Sequence, residues 1–212
     1  MSRSGDVNEN RLTGERSVIL QGTDDGPERR IVAHVTVPAN IGVIGEHMHP
    51  SLHERVLVVS GRLGVKVNGR QRFLGPGEEA DLPPGVVHDW WNAGEEQAEF
   101  IVEVDPGDRF ELLISTLFGL ASDGKTNAKG FPNLLQIAVV TWEFDDIVRF
   151  VKPPRIVQRT LFGMLAPIGR ALGYLPVYGK YIRPDARITP DPEMMARAGL
   201  APTPAPTPET GA

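Results

Sequence analysis

The chain has no cysteine, which excludes disulfides, thiolate metal sites and cysteine nucleophiles together. A chain that does not rely on disulfides suits a reducing compartment. It also has no apolar run of the roughly 18 uncharged residues that a membrane span requires. Its first segment, Met1 to Ser17, is polar and mixed in charge, without the apolar stretch of a signal peptide. These absences make the cytoplasm the expected location. Positive charge is scarce as well, with 22 Lys and Arg against 27 Asp and Glu and a net charge of −5. A general nucleic-acid binder carries a basic surplus, so no nucleic-acid partner is expected. No Ser-His-Asp or Cys-His set, phosphate loop or dinucleotide fingerprint is present.

What is present is globular. At 212 residues and 41% hydrophobic content, the chain is long enough to bury a core of one domain with extensions. Residues 1–16 are polar and are expected to fray. From 17 to 106 the pattern is short β-branched runs broken by turn signals at Gly61, Asn68-Gly69, Gly75-Pro76-Gly77, Pro83-Pro84-Gly85 and Asn92-Ala93-Gly94. Asn68-Gly69 between two short strands is a type I′ hairpin signal. Such short, evenly punctuated strands predict a mainly β, antiparallel barrel or sandwich. From 107 to 183 the character turns helical. A segment opens at Asp108 with acidic residues in its first turn, and Leu134 to Val151 and Ile156 to Leu172 read as further helices. Residues 184–212 form a tail whose end alternates Pro with Thr and Ala and is expected to be disordered.

Chemistry concentrates between His47 and His88. Three of the five histidines, His47 and His49 in His47-Met48-His49 and then His88, fall there with Glu54 at spacings that suit one metal ion. Alternation along a strand sends His47 and His49 to one face, about 7 Å apart, within reach of one ion. Glu54 follows after a short loop, and His88 comes from a different hairpin behind Pro83-Pro84-Gly85. Three neutral imidazoles and a carboxylate suit one divalent first-row metal: iron, manganese, nickel, copper or zinc. Four protein ligands leave coordination positions open for catalysis. His53 should point outward by the same alternation, and His34 reads as structural.

In these motifs the chain resembles the cupins. His47-x-His49, four residues, Glu54, six residues, Gly61 matches their first motif. Gly77, Pro83-x-Gly85, His88 and Asn92 match the second with no deviation in spacing. Only the glycine that should precede His47 departs, because Gly42 lies one residue too close. The resemblance covers roughly residues 30–106. It implies an antiparallel jelly-roll barrel with a C-terminal helical extension, and a metal, Fe(II) favoured, bound by His47, His49, Glu54 and His88. Homodimers are usual in that family. It implies no single reaction, since cupins include dioxygenases, isomerases, decarboxylases, cyclases, storage proteins and sugar-sensing regulators.

Parity then predicts the pocket. Val56 and Val58 share the face of Glu54, and Trp90 and Asn92 share that of His88. Val65, Phe100 and Val102 join them in a wall that is apolar. Such a wall favours a small apolar or aromatic substrate over a sugar phosphate, which would want inward Lys or Arg. The expected function is therefore a metal-dependent dioxygenase or oxygenase, or an isomerase or cyclase, with Glu54 also acting as a base. The rival is a non-catalytic metal- or ligand-holding module for sensing or storage. Residues 147–183 hold Arg149, Lys152, Arg155, Arg159, Arg170, Lys180 and Arg183 and no acidic residue. The favoured reading packs these helices on the barrel, as a lid, or across a dimer; the other lays them on an anionic membrane or an acidic partner.

Overall fold

The computed structural model describes residues 2–42 and 45–201. The Pro-rich end expected to be disordered lies outside these residues. The strands are β1 Asp6–Asn10, β2 Glu15–Gln21, β3 Ile31–Val37, β4 His47–Met48, β5 His53–Ser60, β6 Leu63–Val67, β7 Arg70–Leu74, β8 Glu79–Leu82, β9 His88–Asn92 and β10 Ala98–Asp105. After them come α1 Asp108–Ser122, α2 Leu134–Glu143, β11 Arg149–Phe150, α3 Arg155–Ala171, β12 Ala186–Arg187 and α4 Pro192–Arg197. The strands pair into a seven-stranded sheet, β12-β1-β2-β3-β10-β5-β8, and a five-stranded sheet, β11-β4-β9-β6-β7. The pairings are antiparallel. The jelly-roll barrel with a helical extension is therefore what the chain adopts.

Alternation builds this barrel. On β3, Ile31, Ala33, Val35 and Val37 face the main core with Val56, Val58, Leu63, Val65 and Phe100. Between them Val32 faces the opposite side of the sheet, where it meets Leu20, Ile101, Met194 and Met195. A fully buried side chain of this size contributes about 1.5–3 kcal/mol relative to exposure, so a one-residue slip of β3 would forfeit several such contributions. Asn68 and Gly69, both at positive φ, make the tight turn between β6 and β7 that the sequence predicts. Gly42 bridges to Trp91, and a Cβ there would lie 2.5 Å from the Trp90 carbonyl oxygen.

Two expectations are corrected, and the part of the tail before its Pro-rich end is found ordered. The N-terminal residues do not fray: β1 pairs with β2 and β12, and Asp6, Val7 and Asn10 are buried. The barrel thus begins well before residue 17. The second helix does not run to Val151 but stops at Glu143, because Phe144 and Ile147 turn inward and join the core. The tail is structured as far as α4, whose Met194 and Met195 cover the outer face of the large sheet.

Local chemistry places the helices. α1 carries Asp108 and Glu111 in its first turn, at the positive end of the helix dipole. Asn133 caps α2 by accepting hydrogen bonds from the backbone N–H groups of Leu135 and Gln136. α3 begins after Pro153-Pro154 and rests on α2, with Gly169 against Val139 and Gly163 against the Trp142 ring. Among the described residues no helix is long and apolar enough to cross a membrane.

Candidate metal centre and its cavity

Three strands bring the ligand residues together. β4 pairs with β9 so that His47 stands opposite His88, and Glu54 opens β5 between Val104 of β10 and Leu82 of β8. His49 follows β4 directly. One ligand atom from each of the four residues lies within 4.8 Å of all the others, and all four side chains are buried. Bonds of about 2.1 Å to a common ion draw ligand atoms to separations of this order.

Each imidazole is oriented by a backbone carbonyl. His47 Nδ1 lies 3.0 Å from Gly45 O, His49 Nδ1 2.7 Å from Ile147 O, and His88 Nδ1 3.0 Å from Val86 O. Donation from Nδ1 turns each Nε2 towards the common centre, which is how proteins orient an imidazole to meet a metal. The Ile147 contact spans 98 residues of sequence, so the segment after α2 sets a ligand of the barrel. No spacing signal could have revealed it.

The electrostatics fit a cation. Glu54 Oε2 lies 3.0 Å from His49 Nε2 and 3.3 Å from His88 Nε2. His88 Nε2 is nevertheless buried without a hydrogen-bond partner, because its approach to Glu54 lacks the required geometry. Burial alone would raise the Glu54 carboxyl, but His49 and His88 overcome it and hold that group well below the usual carboxylate range. His47 is pushed down to about 4, first by burial and then by the neighbouring imidazoles His88 and His49. His88 is raised, since Glu54 outweighs the lowering effect of burial. Electron-pair donors crowded in a dry site suit a divalent transition metal.

Three of the quartet, His47, His49 and Glu54, line one end of a cavity of about 220 Å³. Trp90, Phe100 and Val102 line it as expected from parity, with the Trp90 and Phe100 rings edge to face at 5.0 Å. Four other residues expected in its wall lie elsewhere. Val56, Val58 and Val65 are buried in the closed core, away from the cavity. Asn92 shares the buried face of His88 but holds the chain together there. Its amide donates to Val37 O and Glu96 O and accepts from Gly94 N–H. Parity selects a face correctly, but not how far along that face the cavity extends. His53 points outward to Asp81, and His34 bonds Glu99 on the outer side of the sheet.

The opposite wall comes from outside the barrel. Phe110, Leu113, Ile114, Leu117 and Phe118 of α1, Val140 of α2 and Val148 close over it. The Phe110 ring stands edge-on to His49 at 5.8 Å. A lid exists, then, but α1 and α2 supply it, whereas the basic α3 lies outside it. The far end is lined by Asn8, Asn10, Thr13, Glu15 and Ser17. Glu54 aligns through Val104 with Ile31, and Val35 with Ser17. Glu15 is thus six residues along the sheet from the Glu54 row, about 20 Å at strand spacing. Among the described residues its side chain makes no hydrogen bond or ion pair, and burial pushes its carboxyl up to about 7. Sequence reasoning missed Glu15 because Glu15-Arg16-Ser17 shows no apolar alternation to mark a strand.

Residues 33–104 match the cupin domain family. This segment is a cupin domain. Among curated proteins, the chain is similar to the polyketide synthase CurC of Streptomyces cyaneus, 32% identical over 92 residues, covering 38% of this chain and 60% of that protein. It is also similar to an oxidoreductase of Arthrobotrys oligospora, 26% identical over 151 residues, covering 64% of this chain and 58% of that protein. The chain therefore spans less than two thirds of either relative. Among solved structures, the polyketide cyclase RemF of Streptomyces resistomycificus aligns at 22% identity and a TM-score of 0.39, over 50% of this chain and 70% of that one. The cupin domain here combines a potential metal site with added helices.

Proposed function

We propose that this cupin is a metal-dependent enzyme acting on an elongated, largely apolar or aromatic molecule, by oxygenation or by metal-assisted isomerisation or cyclisation. The observation that carries this reading is the cavity itself. One space, apolar along most of its walls and roofed by α1 and α2, leads from His47, His49 and Glu54 of the quartet to the polar end that holds Glu15. A storage or sensing module needs no such roof over its ligand. The names carried by the relatives, a polyketide synthase and an oxidoreductase, lean the same way.

In this reading the four ligands hold a divalent transition metal, which supplies Lewis acidity or redox reactivity at its open positions. Trp90 and Phe100 give flat surfaces for an aromatic substrate. Phe110 and Leu113 exclude water from the reacting end, which strengthens the electrostatics there. Glu54, held ionised by its imidazole neighbours, is the base nearest the reacting atoms. Glu15, its carboxyl pushed up to about 7 by burial, carries its proton below neutral pH and there offers a hydrogen-bond donor to a hydroxyl or carbonyl at the far end of the substrate.

The test is metal analysis of the purified protein, followed by dioxygen consumption and product analysis with a panel of polycyclic phenols. Turnover that requires Fe(II) or another divalent ion supports the reading. A protein that takes up no divalent metal, or that takes it up and transforms no member of the panel while still binding it, returns the chain to the sensing or storage class.

A further inference from the structure

α3 is held from one side only. Its buried residues are Gln158, Ala166 and Gly169, and they face α2 and the 150–153 segment: Gly169 meets Val139, and Gln158 donates to Phe150 O and Pro153 O. The opposite side is apolar and bare. Ile156 is 73% exposed, Met164 59%, Ile168 51% and Leu172 66%. At 3.6 residues per turn Ile156, Thr160, Met164 and Ile168 fall within about 120° of one another and Leu172 just beyond them, so together they form one broad stripe on the bare side of the helix. Val157 and, beyond the helix, Leu175 widen it. Trp142 of α2, half exposed, borders the stripe where its ring rests on Gly163. Scattered apolar residues on a surface need no explanation, but a continuous stripe marks a contact.

Charge identifies what the stripe meets. No acidic residue occurs between 147 and 183, against seven Lys and Arg, although the whole chain carries −5. Some of this charge is consumed internally: Arg149 and Arg155 pair with Asp145, Arg170 with Glu143, and Lys180 with Asp123. Lys152, Arg159 and Arg183 make no ion pair among the described residues; Arg159, one turn from Ile156, is exposed at the mouth of the groove between α2 and α3 that Trp142 and Arg155 also line, and Lys152 is exposed just before the helix. Two copies joined face to face through α3 would set like charges against one another across the two-fold axis. An apolar helical face bordered by free basic side chains instead fits the boundary between the acyl chains and headgroups of an anionic bilayer. We propose that α3 seats this cupin on an anionic lipid surface, with Ile156, Met164, Ile168 and Leu172 entering the acyl boundary and Lys152 and Arg159 meeting the headgroups.

Co-sedimentation of the full chain with vesicles of phosphatidylcholine, with and without phosphatidylglycerol, tests the proposal. The wild-type protein is expected to sediment with the anionic vesicles, to remain in solution with the neutral ones and to be released by salt. The double variant Met164→Glu/Ile168→Glu is expected to lower partitioning about a hundredfold, since each change removes the burial of a full apolar side chain. Both positions are exposed, so thermal melting of that variant should be unchanged. Arg159→Glu should weaken binding roughly tenfold. Wild-type protein that stays in solution with anionic vesicles overturns the proposal, as does a double variant that binds like the wild type. A concentration-dependent dimer in sedimentation velocity, abolished by the same double variant, also overturns it and assigns the face to a second copy.

Discussion

At one end of the cavity the Glu54 carboxylate sits among three imidazoles; at the other, the Glu15 carboxyl sits in the wall with no ion-pair partner among the described residues. Glu54 is buried and Glu15 half-buried, and desolvation pushes both carboxyls in the same direction. At Glu54 the neighbours win, and the group stays ionised. At Glu15 nothing opposes burial, and the proton stays until about pH 7. The difference shows how one barrel can hold an electron-pair donor for a cation and a neutral hydrogen-bond donor six residues apart along the register of one sheet.

The comparison breaks most readily at the metal end. Replacing Glu54 by Gln keeps the shape but removes the only negative charge in the quartet. Affinity for a divalent first-row metal is expected to fall by more than about a hundredfold, beyond what is lost when only a group that orients a ligand is removed. Titration calorimetry with the metal checks this, with circular dichroism showing that the barrel still folds. Unchanged affinity would remove the carboxylate from the ligand set.

The far end is sharpened by pH. Unfolded, Glu15 loses its proton near the ordinary value of 4.5; folded, it keeps it to about 7. Between these values the native state binds more protons than the unfolded state, so this group makes stability fall as pH rises through that window. Above it the full cost of a buried, unpaired charge remains. Glu15→Gln carries no such charge and is expected to be more stable than the wild type at pH 8 by about 1–3 kcal/mol, with the gain vanishing at pH 4. Urea unfolding of both proteins at the two pH values reads the difference and cancels the titrations they share. A gain of equal size at both values would show that the Glu15 carboxyl titrates alike in the folded and unfolded states, and would remove its upward shift.

These two ends also differ in how far the sequence exposes them. The metal ligands fall within one segment, His47 to His88, where strand alternation and turn residues carry the geometry and the family motif repeats the spacing. Trp90, Phe100 and Val102 are legible for the same reason. The roof is not, because helical periodicity reveals that α1 and α2 are amphipathic but not which surface they cover. Ile147, which orients His49, lies 98 residues from it and acts through a backbone carbonyl that no side-chain pattern encodes. β1 reads as a fraying segment since Asp6, Asn8, Glu9 and Asn10 surround a single Val7. Its burial comes from the strands and the helix that flank it. With β1 hidden in this way, the wall containing Glu15 is hidden too.

The smallest effect concerns a residue adjacent to the metal in sequence but not in space. His53 precedes Glu54, and a scheme based on proximity alone would count it as a fifth ligand. Alternation turns it outward, where Nε2 lies 2.6 Å from Asp81 Oδ1 and both side chains are about half exposed. An exposed pair of this kind contributes about 0–1 kcal/mol, and less as salt screens it. His53→Ala is therefore expected to leave metal stoichiometry and affinity unchanged and to shift the unfolding midpoint only slightly. Metal titration of His53→Ala beside Glu54→Gln makes the contrast direct, because the two positions differ by one residue and by the face of the strand. A loss of metal in His53→Ala would mean that β5 is out of register by one, and with it the inward positions of Val56 and Val58.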